Sequence, residues 1–333
     1  FTGLLDLYGG ASAAYSLRNL SLAWRDQDVV EVRRASDDTT SGFTATELTD
    51  GTMEQWVNAT VALPLDTDGT AAAAYSLRDL TTSRTNITSN GDTGGDTSGA
   101  WVVQVRRSSD DNLKSFTAAE VADGTLETWV GTTVADQGYV STWYDQSSNG
   151  NHGTQTTIAK QPRIVVDGSQ VFENSIPAIR PDGVDDTVNI PTISGNNFSV
   201  FAKYHAPSDS SLIFRNTGGN TTAAGRRSNT HWYFQYDGIT YDQAIDHPST
   251  PVVANYQVIG TDMMIRGNGV DVWTPQTVTA GTNSNISRIA NYLGGTGTVS
   301  EVIIYITDQT DNRKALESNM ADFYGIDLDA AAD

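Results

Sequence analysis

A block that occurs twice near the N-terminus constrains this chain more than any other feature. Residues 14–20 (AYSLRNL) return at 74–80 (AYSLRDL), and residues 32–38 (VRRASDD) return at 105–111 (VRRSSDD). The match continues through Phe43 and Phe116, Asp50-Gly51-Thr52 and Asp123-Gly124-Thr125, and Trp56-Val57 and Trp129-Val130. The copies stand 60 residues apart at the first motif and 73 at the second, so the later one carries an insertion at residues 86–98 (NITSNGDTGGDTS). That run of turn formers reads as an exposed loop. A unit this small buries no core alone, so the copies must pack on each other, on the rest of the chain or on neighbouring subunits.

Within each copy, the small and straight-chain residues of AYSLR predict a short helix. The VRR segment predicts a strand, with Val30 and Val32, or Val103 and Val105, at period two. Asp-Gly-Thr then opens a second short helix with its Trp packed inward. Adjacent residues of a strand face opposite ways, so one arginine of each pair (Arg33-Arg34, Arg106-Arg107) points inward. That arginine is expected to tie down the following Asp pair through bidentate bonds.

From about residue 161 the pattern changes to short alternating segments between turns, at 198–204, 232–236, 256–259, 263–266, 270–273 and 299–306. Arg266-Gly267-Asn268-Gly269 marks a hairpin, because Asn-Gly accepts the positive φ values of a tight turn. Strands at this spacing predict a sandwich. Residues 311–324 place Leu316, Met320 and Phe323 at helical spacing and stop at Gly325, which predicts a closing helix. The expected division is 1–66 for the first repeat, 67–160 for the second, ending in the loop YDQSSNGNHGTQ, and 161–333 for the sandwich.

Forty acidic against 20 basic residues give a net charge of −20, which repels polyphosphate and anionic membranes, so no nucleic acid and no membrane is expected as partner. Cysteine is absent, which removes disulfides and thiolate metal sites. No apolar run approaches the ~20 residues that span a bilayer, and no basic segment followed by an apolar stretch marks a secretory signal. Walker, HExxH, GxSxG and dinucleotide fingerprints are all missing.

Three places offer ligand chemistry. The loop at 144–155 is dense in amides and hydroxyls. Trp143, Tyr144, Asp145, Asn149 and Asn151 form a candidate sugar-binding set, with Asp145, Asn149 and Asn151 also offering oxygens to calcium. The alternative is a buried polar turn whose side chains satisfy backbone N–H groups. Asp66 and Asp68 begin like a calcium loop but lack the later bidentate glutamate, and a linking turn is the alternative. In residues 231–236, alternation sends Trp232, Phe234 and Tyr236 to the core and leaves Tyr233 to stack on a sugar ring or to pack ordinarily. The four histidines show no metal-ligand spacing.

The run AYSLR, VRRSSD and WYDQSSNGNHGTQ resembles the N-terminal part of the arabinofuranosidase-B-like family, whose catalytic domain is a concanavalin-like β-sandwich. It is also similar to segments of many tailed-phage virion proteins. The likeness is close over residues 74–155 and partial over 4–57. Residues 177–186 (PAIRPDGVDD) and 299–305 resemble the opening and closing strands of a laminin-G or concanavalin-like lectin domain. The implied fold is mainly β, a concanavalin-like jelly-roll sandwich with a duplicated small α+β N-terminal region and a C-terminal helix. The implied function is a structural virion protein, a head fibre, decoration or tail-associated subunit, whose lectin-like domain binds host-surface or environmental glycans. A homotrimer, other virion proteins as partners and a place on the virion surface follow by analogy. The alternatives are a secreted glycoside hydrolase of arabinofuranosidase type and a non-catalytic carbohydrate-binding adhesin, both extracellular. Hydrolysis needs two carboxyl groups about 5–9.5 Å apart. Glu173 and Glu301 show no partner in the sequence, no catalytic residue is carried over from the family, and no cofactor beyond calcium is expected.

Overall fold

The computed structural model describes residues 27–33, 40–49, 52–53, 65, 70–82, 87–89, 91–93, 98–207, 211–216, 222–227, 231–236, 239–272, 275–278, 284–291 and 297–328. The chain divides into two compact units, Phe1–Ala62 and Leu63–Asp333.

In the first unit, β1 (Asp28–Arg33) and β2 (Thr40–Thr44) form an antiparallel hairpin that runs into α1 (Ala45–Thr49). Thr44 and Glu47 close the start of that helix, each side chain accepting from the other residue's backbone N–H at 3.3 and 2.9 Å. The first AYSLR copy and Trp56 lie outside the described residues.

The second unit opens with β3 (Ala73–Ser76), β4 (Trp101–Arg107), β5 (Leu113–Thr117), α2 (Ala118–Ala122) and α3 (Thr125–Val130). The hairpin of β4 and β5 again leads into a capped helix, with Thr117 and Glu120 forming the same reciprocal box. The duplication therefore preserves two paired antiparallel strands leading into a short helix, with a Thr-x-x-Glu cap in both copies. The expected helix at Asp-Gly-Thr is present as α3, with Trp129 half-buried against Phe116 at 5.5 Å.

Apart from short two-residue strands, the further elements are β6 (Gly138–Trp143), β7 (Gly153–Thr154), β8 (Arg163–Val166), β9 (Val188–Gly195), β10 (Phe198–His205), β11 (Ser211–Arg215), β12 (Ala223–Arg226), β13 (His231–Tyr236), β14 (Ile239–Asp246), β15 (Val252–Ile259), β16 (Asp262–Gly267), β17 (Ser284–Asn291), β18 (Thr298–Tyr305) and α4 (Arg313–Tyr324). They build two antiparallel sheets. Among the described residues the larger has 12 strands and contains the path β8-β6-β7-β9-β17-β11-β12-β13-β14, with β4 and β5 joined through β6. The smaller has 7 and contains β16-β15-β10-β18-β3. The protein is mainly β, a sandwich with a C-terminal helix. Residue 160 falls between strands of one sheet, since β4, β6 and β7 precede it and β8 and β9 follow.

The apolar core lies between the sheets, where Tyr75, Val105, Trp143, Val200, Phe214, Phe234, Tyr256 and Val302 belong to one buried cluster. A second cluster covers the other face of the smaller sheet and joins Ala74, Phe201, Val253 and Ile303 to Leu316, Met320 and Tyr324 of α4. Being covered on both faces explains the near-continuous burial of β10 and β18. The Asn268-Gly269 turn has φ values of 49° and 84°, as its sequence predicts. Among the described residues no helix is long and apolar enough to cross a membrane.

Two expectations are corrected. In the second copy the Ala-Tyr-Ser of AYSLR lies in the strand β3, paired with β18, and the motif is not a helix. Ala73 and Tyr75 enter one core and Ala74 the other, so two-sided burial at period two outweighs a modest helix propensity. In α4 the buried positions are Leu316, Glu317, Met320, Ala321 and Tyr324, while Phe323 is 42% exposed. The buried positions span one broad face centred between Met320 and Glu317, and Phe323, in line with Leu316, sits at the edge of that face and is left partly in solvent.

Candidate functional site

The loop at 144–155 is turned toward its own chain. Trp143, Tyr144 and Asp145 are buried. Asp145 Oδ1 accepts from the backbone N–H groups of Ala74 (2.8 Å) and Ser147 (2.9 Å), and Oδ2 from Ser147 Oγ and the Asn151 N–H (both 2.9 Å). Gln146 Nε2 donates to the Ser76 and Arg78 carbonyls, and its Oε1 accepts from Leu80 N. Asn149 and Asn151 donate to the carbonyls of Ala71 and Ala72 at 2.8 Å. The closing loop of the repeat thus clamps β3, which is the polar-turn alternative. The ring of Trp143 lies against Tyr75 at 5.8 Å in the core, where no sugar reaches it. Calcium is not favoured at Asp145 either, because both carboxylate oxygens already accept hydrogen bonds.

Tyr233 stands on the outer face of β13, opposite Trp232 and Phe234, which join the inter-sheet core. It is 7% exposed, donates its hydroxyl to Gln235 at 2.7 Å and lies under the Arg227 guanidinium at 5.0 Å. Asp66 and Asp68 lie outside the described residues.

Ligand-accessible chemistry converges elsewhere, on the outer face of the larger sheet. Arg106 of β4 is in register with Tyr139 of β6, and Tyr139 with Arg163 of β8. Residues opposite one another across antiparallel strands share a face, so the three side chains form one row. A cavity of about 340 Å³ opens over this row. Ile158, Ala159 and Gln161 from the short 3₁₀ turn region complete one wall, and Asp182 and Asp186 from the PDGVDD turn the other.

Arg106 is held from three sides. Its Nε donates to Gln161 Oε1 at 2.8 Å, its guanidinium pairs with Asp111 at 2.6 Å, and it stacks on Tyr139 at 4.4 Å. Arg107, on the opposite face, takes Asp110 through two bonds of 3.1 and 2.6 Å. Both arginines of the pair therefore bind the Asp pair, and the fork-like contact belongs to the more exposed Arg107, where the turn brings Asp110 within reach.

Asp182 Oδ1 accepts from the N–H groups of Val184 (2.8 Å), Asp185 (3.2 Å) and Asp186 (3.2 Å), while its own N–H donates to Asp186 Oδ2 at 2.8 Å. Asp185 pairs with Lys160 at 3.2 Å. Burial, reinforced by the Asp182 carboxylate, pushes the Asp186 carboxyl up to about 7, with Arg163 acting the other way. Asp182, Asp185 and Asp186 each offer an oxygen within 4.8 Å of the others, the spacing a divalent cation needs. Three N–H bonds on Asp182 already hold that turn together.

The cavity thus offers guanidinium donors, carboxyl groups and an aromatic ring, a combination that orients a polyhydroxylated ligand. None of its residues was singled out from the sequence as a ligand group. The available signal was the RPDGVDD run, which reads as a lectin-like strand opening. The cross-strand register that aligns Arg106, Tyr139 and Arg163 is invisible without the sheet.

The described residues form a mainly antiparallel β-sandwich that carries this cavity on the outer face of its larger sheet. The chain is similar to a GH54 α-L-arabinofuranosidase soaked with a cyclic sulfate inhibitor, at 17% identity and a TM-score of 0.53, over 78% of this chain and 65% of that one. A mutant GH54 α-L-arabinofuranosidase soaked with 4-nitrophenyl α-L-arabinofuranoside matches at 18% identity and a TM-score of 0.54, over the same shares. The chain spans 65% of the length of either enzyme, and at this identity the likeness is one of fold. No family model and no curated protein matches the sequence.

Proposed function

We propose that this chain is a glycan-binding β-sandwich protein of a tailed-phage particle, a head-fibre, decoration or tail-associated subunit that assembles as a homotrimer with other virion proteins. The observation that carries the glycan reading is the cavity in which Arg106, Tyr139, Arg163, Asp182 and Asp186 face one space. Sugar recognition needs such a mix of planar hydrogen-bonding groups and an aromatic face. The particle reading rests on the duplicated AYSLR and VRR units and their likeness to virion segments. The test is a glycan array with the purified chain, followed by calorimetry on the hits with Arg163→Ala. Saturable binding lost in the variant supports the reading, and an array without a hit sinks it. Light scattering and immunogold labelling of particles test the trimer and its location.

A second reading, a glycoside hydrolase, is favoured by one observation. Asp182 and Asp186 share the cavity, their oxygens within 4.8 Å, and the raised Asp186 carboxyl suits a general acid. Release of arabinose from arabinan, abolished by Asp186→Asn with binding intact, would establish it.

A further inference from the structure

We propose that the hairpin at residues 172–177 is a proton-controlled latch, closed on the smaller sheet while the His205 ring carries two protons and released when it loses one. The hairpin pairs Phe172 with Pro177 and Glu173 with Ile176. Two strands this short are not stable alone in water, so the hairpin depends on what it is docked to. Its turn adds to that dependence. Asn174 and Ser175 both have positive φ, 51° and 64°, and the left-handed region is unfavourable for a serine.

One anchor is apolar and one polar. Ile176 packs against the second apolar cluster. Glu173 Oε2 accepts from Thr298 Oγ1 at 3.0 Å and meets His205 Nδ1 at 2.9 Å. The other ring nitrogen, Nε2, lies 2.7 Å from the carbonyl of Ser249, between β14 and β15. A carbonyl oxygen only accepts, so Nε2 carries a proton, and a carboxylate only accepts, so Nδ1 carries one too. Neutral His205 has one proton for these two acceptors, and the lone pair of its Nδ1 then faces the Glu173 carboxylate. A charge-assisted hydrogen bond becomes a contact between two acceptors. Beyond the hairpin, Ile179 stays bridged to Val299 and Arg180 to Arg163, so the release is confined to residues 172–177.

The charged groups around the ring set the direction of the switch. The hydrogen bond to Glu173 raises the His205 imidazolium above the ordinary histidine value against burial, with the Ser249 carbonyl assisting and the Lys203 charge opposing. Burial works against the ionised Glu173, but His205, Thr298 and Lys203 together hold its carboxyl below the usual value. Burial pushes Lys203 itself down to about 8, with Glu173 and Glu301 acting the other way. Its loss of charge favours the ring proton and so works against opening. Burial lowers His247, two residues before Ser249, to about 4, and that ring stays neutral above this value. The His205 contribution is therefore complete below its unfolded value of 6.5 and is lost as pH rises through the raised folded value. The Glu173 contribution is present above 4.5 and is lost as pH falls through its lowered value, so the latch is closed between the two.

The experiment is amide hydrogen exchange of the full chain at about pH 5.5 and about pH 8.5, corrected for intrinsic rates, beside a nitrogen-15 NMR titration of the histidine rings. The expected result is a loss of protection at residues 172–177 of about tenfold or more at the higher pH, with the midpoint of the His205 titration, while β10 and β18 keep theirs. Glu173→Gln supplies a neutral amide that donates to the neutral ring, so this variant should be better protected than the parent at the higher pH. A merely structural anchor gives no such gain. Equal protection of the parent at both pH values overturns the latch, as does a His205 titration at or below the ordinary histidine value. Loosening that spreads into β10 and β18, or a folded Glu173→Gln without the gain, overturns it as well. The parent measurements decide the matter by themselves if thermal unfolding shows the variant misfolded.

Discussion

Arg78 and Glu301 meet in a buried bidentate ion pair, Nε to Oε2 at 2.8 Å and Nη2 to Oε1 at 3.0 Å, 223 residues apart in sequence. Ser76 Oγ and the Tyr324 hydroxyl complete the carboxylate's shell at 3.0 Å each. The pair binds the second AYSLR motif to the last strand of the sheet and to α4, which gives the Ser and Arg of that motif a structural purpose. Removing one partner leaves a buried charge alone, at a cost of about 3–5 kcal/mol. Glu301→Gln should therefore lower the denaturation midpoint sharply, and an Arg78→Met/Glu301→Leu double variant should recover part of the loss. A double variant weaker than Glu301→Gln would contradict this account.

Asp145 is the acceptor that holds the closing loop of the repeat. Asp145→Ala removes the partner of four donors, and unsatisfied buried donors cost about 1–3 kcal/mol each. The expected outcome is a loss of at least about 3 kcal/mol in urea unfolding, with glycan affinity at the separate cavity unchanged at temperatures where the variant remains folded.

Asp186 and His247 act oppositely on stability over one pH range. The Asp186 carboxyl is raised from 3.8 to about 7, so its stabilising contribution is complete below pH 3.8 and is lost as pH rises to 7. Burial lowers His247 from 6.5 to about 4, so its contribution is present above 6.5 and lost as pH falls to 4. Asp186→Asn removes the first effect alone. Relative to the parent, this variant should be more stable at pH 7.5 than at pH 4.5, with a slope no steeper than about 1.4 kcal/mol per pH unit. A pH-independent difference in denaturation free energy would remove Asp186 as a titrating group.

Gly168 and Gly150 separate backbone strain from lack of space. Both have positive φ, 75° and 71°. A Cβ on Gly168 would lie 2.4 Å from the Thr133 carbonyl oxygen, while one on Gly150 meets nothing within 4 Å. Gly150→Ala should cost about 1–2 kcal/mol from the left-handed conformation alone, and Gly168→Ala distinctly more. Equal melting temperatures for the two variants would show that the loop around Thr133 yields freely.

The duplication, the β-rich class, the Asn-Gly hairpin and the terminal helix were legible because each rests on local chemistry: repeat identity, alternation, turn residues and helical spacing. AYSLR misled for a related reason. Its residues fit a helix locally, and only the unpaired edge of β18 and the cores on both sides make it a strand. The 144–155 loop was legible as polar and special, but both of its readings used the same amides and carboxylate. What those groups face depends on β3, some 70 residues earlier in the chain.

By itself the sequence determined the periodicities, the turns and the charge of this protein, since those follow from neighbouring side chains and backbone preferences. Tertiary structure decided which polar groups are consumed and which remain available. Asp145 and Arg78 are satisfied by partners brought in from distant segments. Arg106, Tyr139 and Arg163 become one row only through strand register, because hydrogen bonding between β4, β6 and β8 aligns residues that lie 24 and 33 positions apart in the chain.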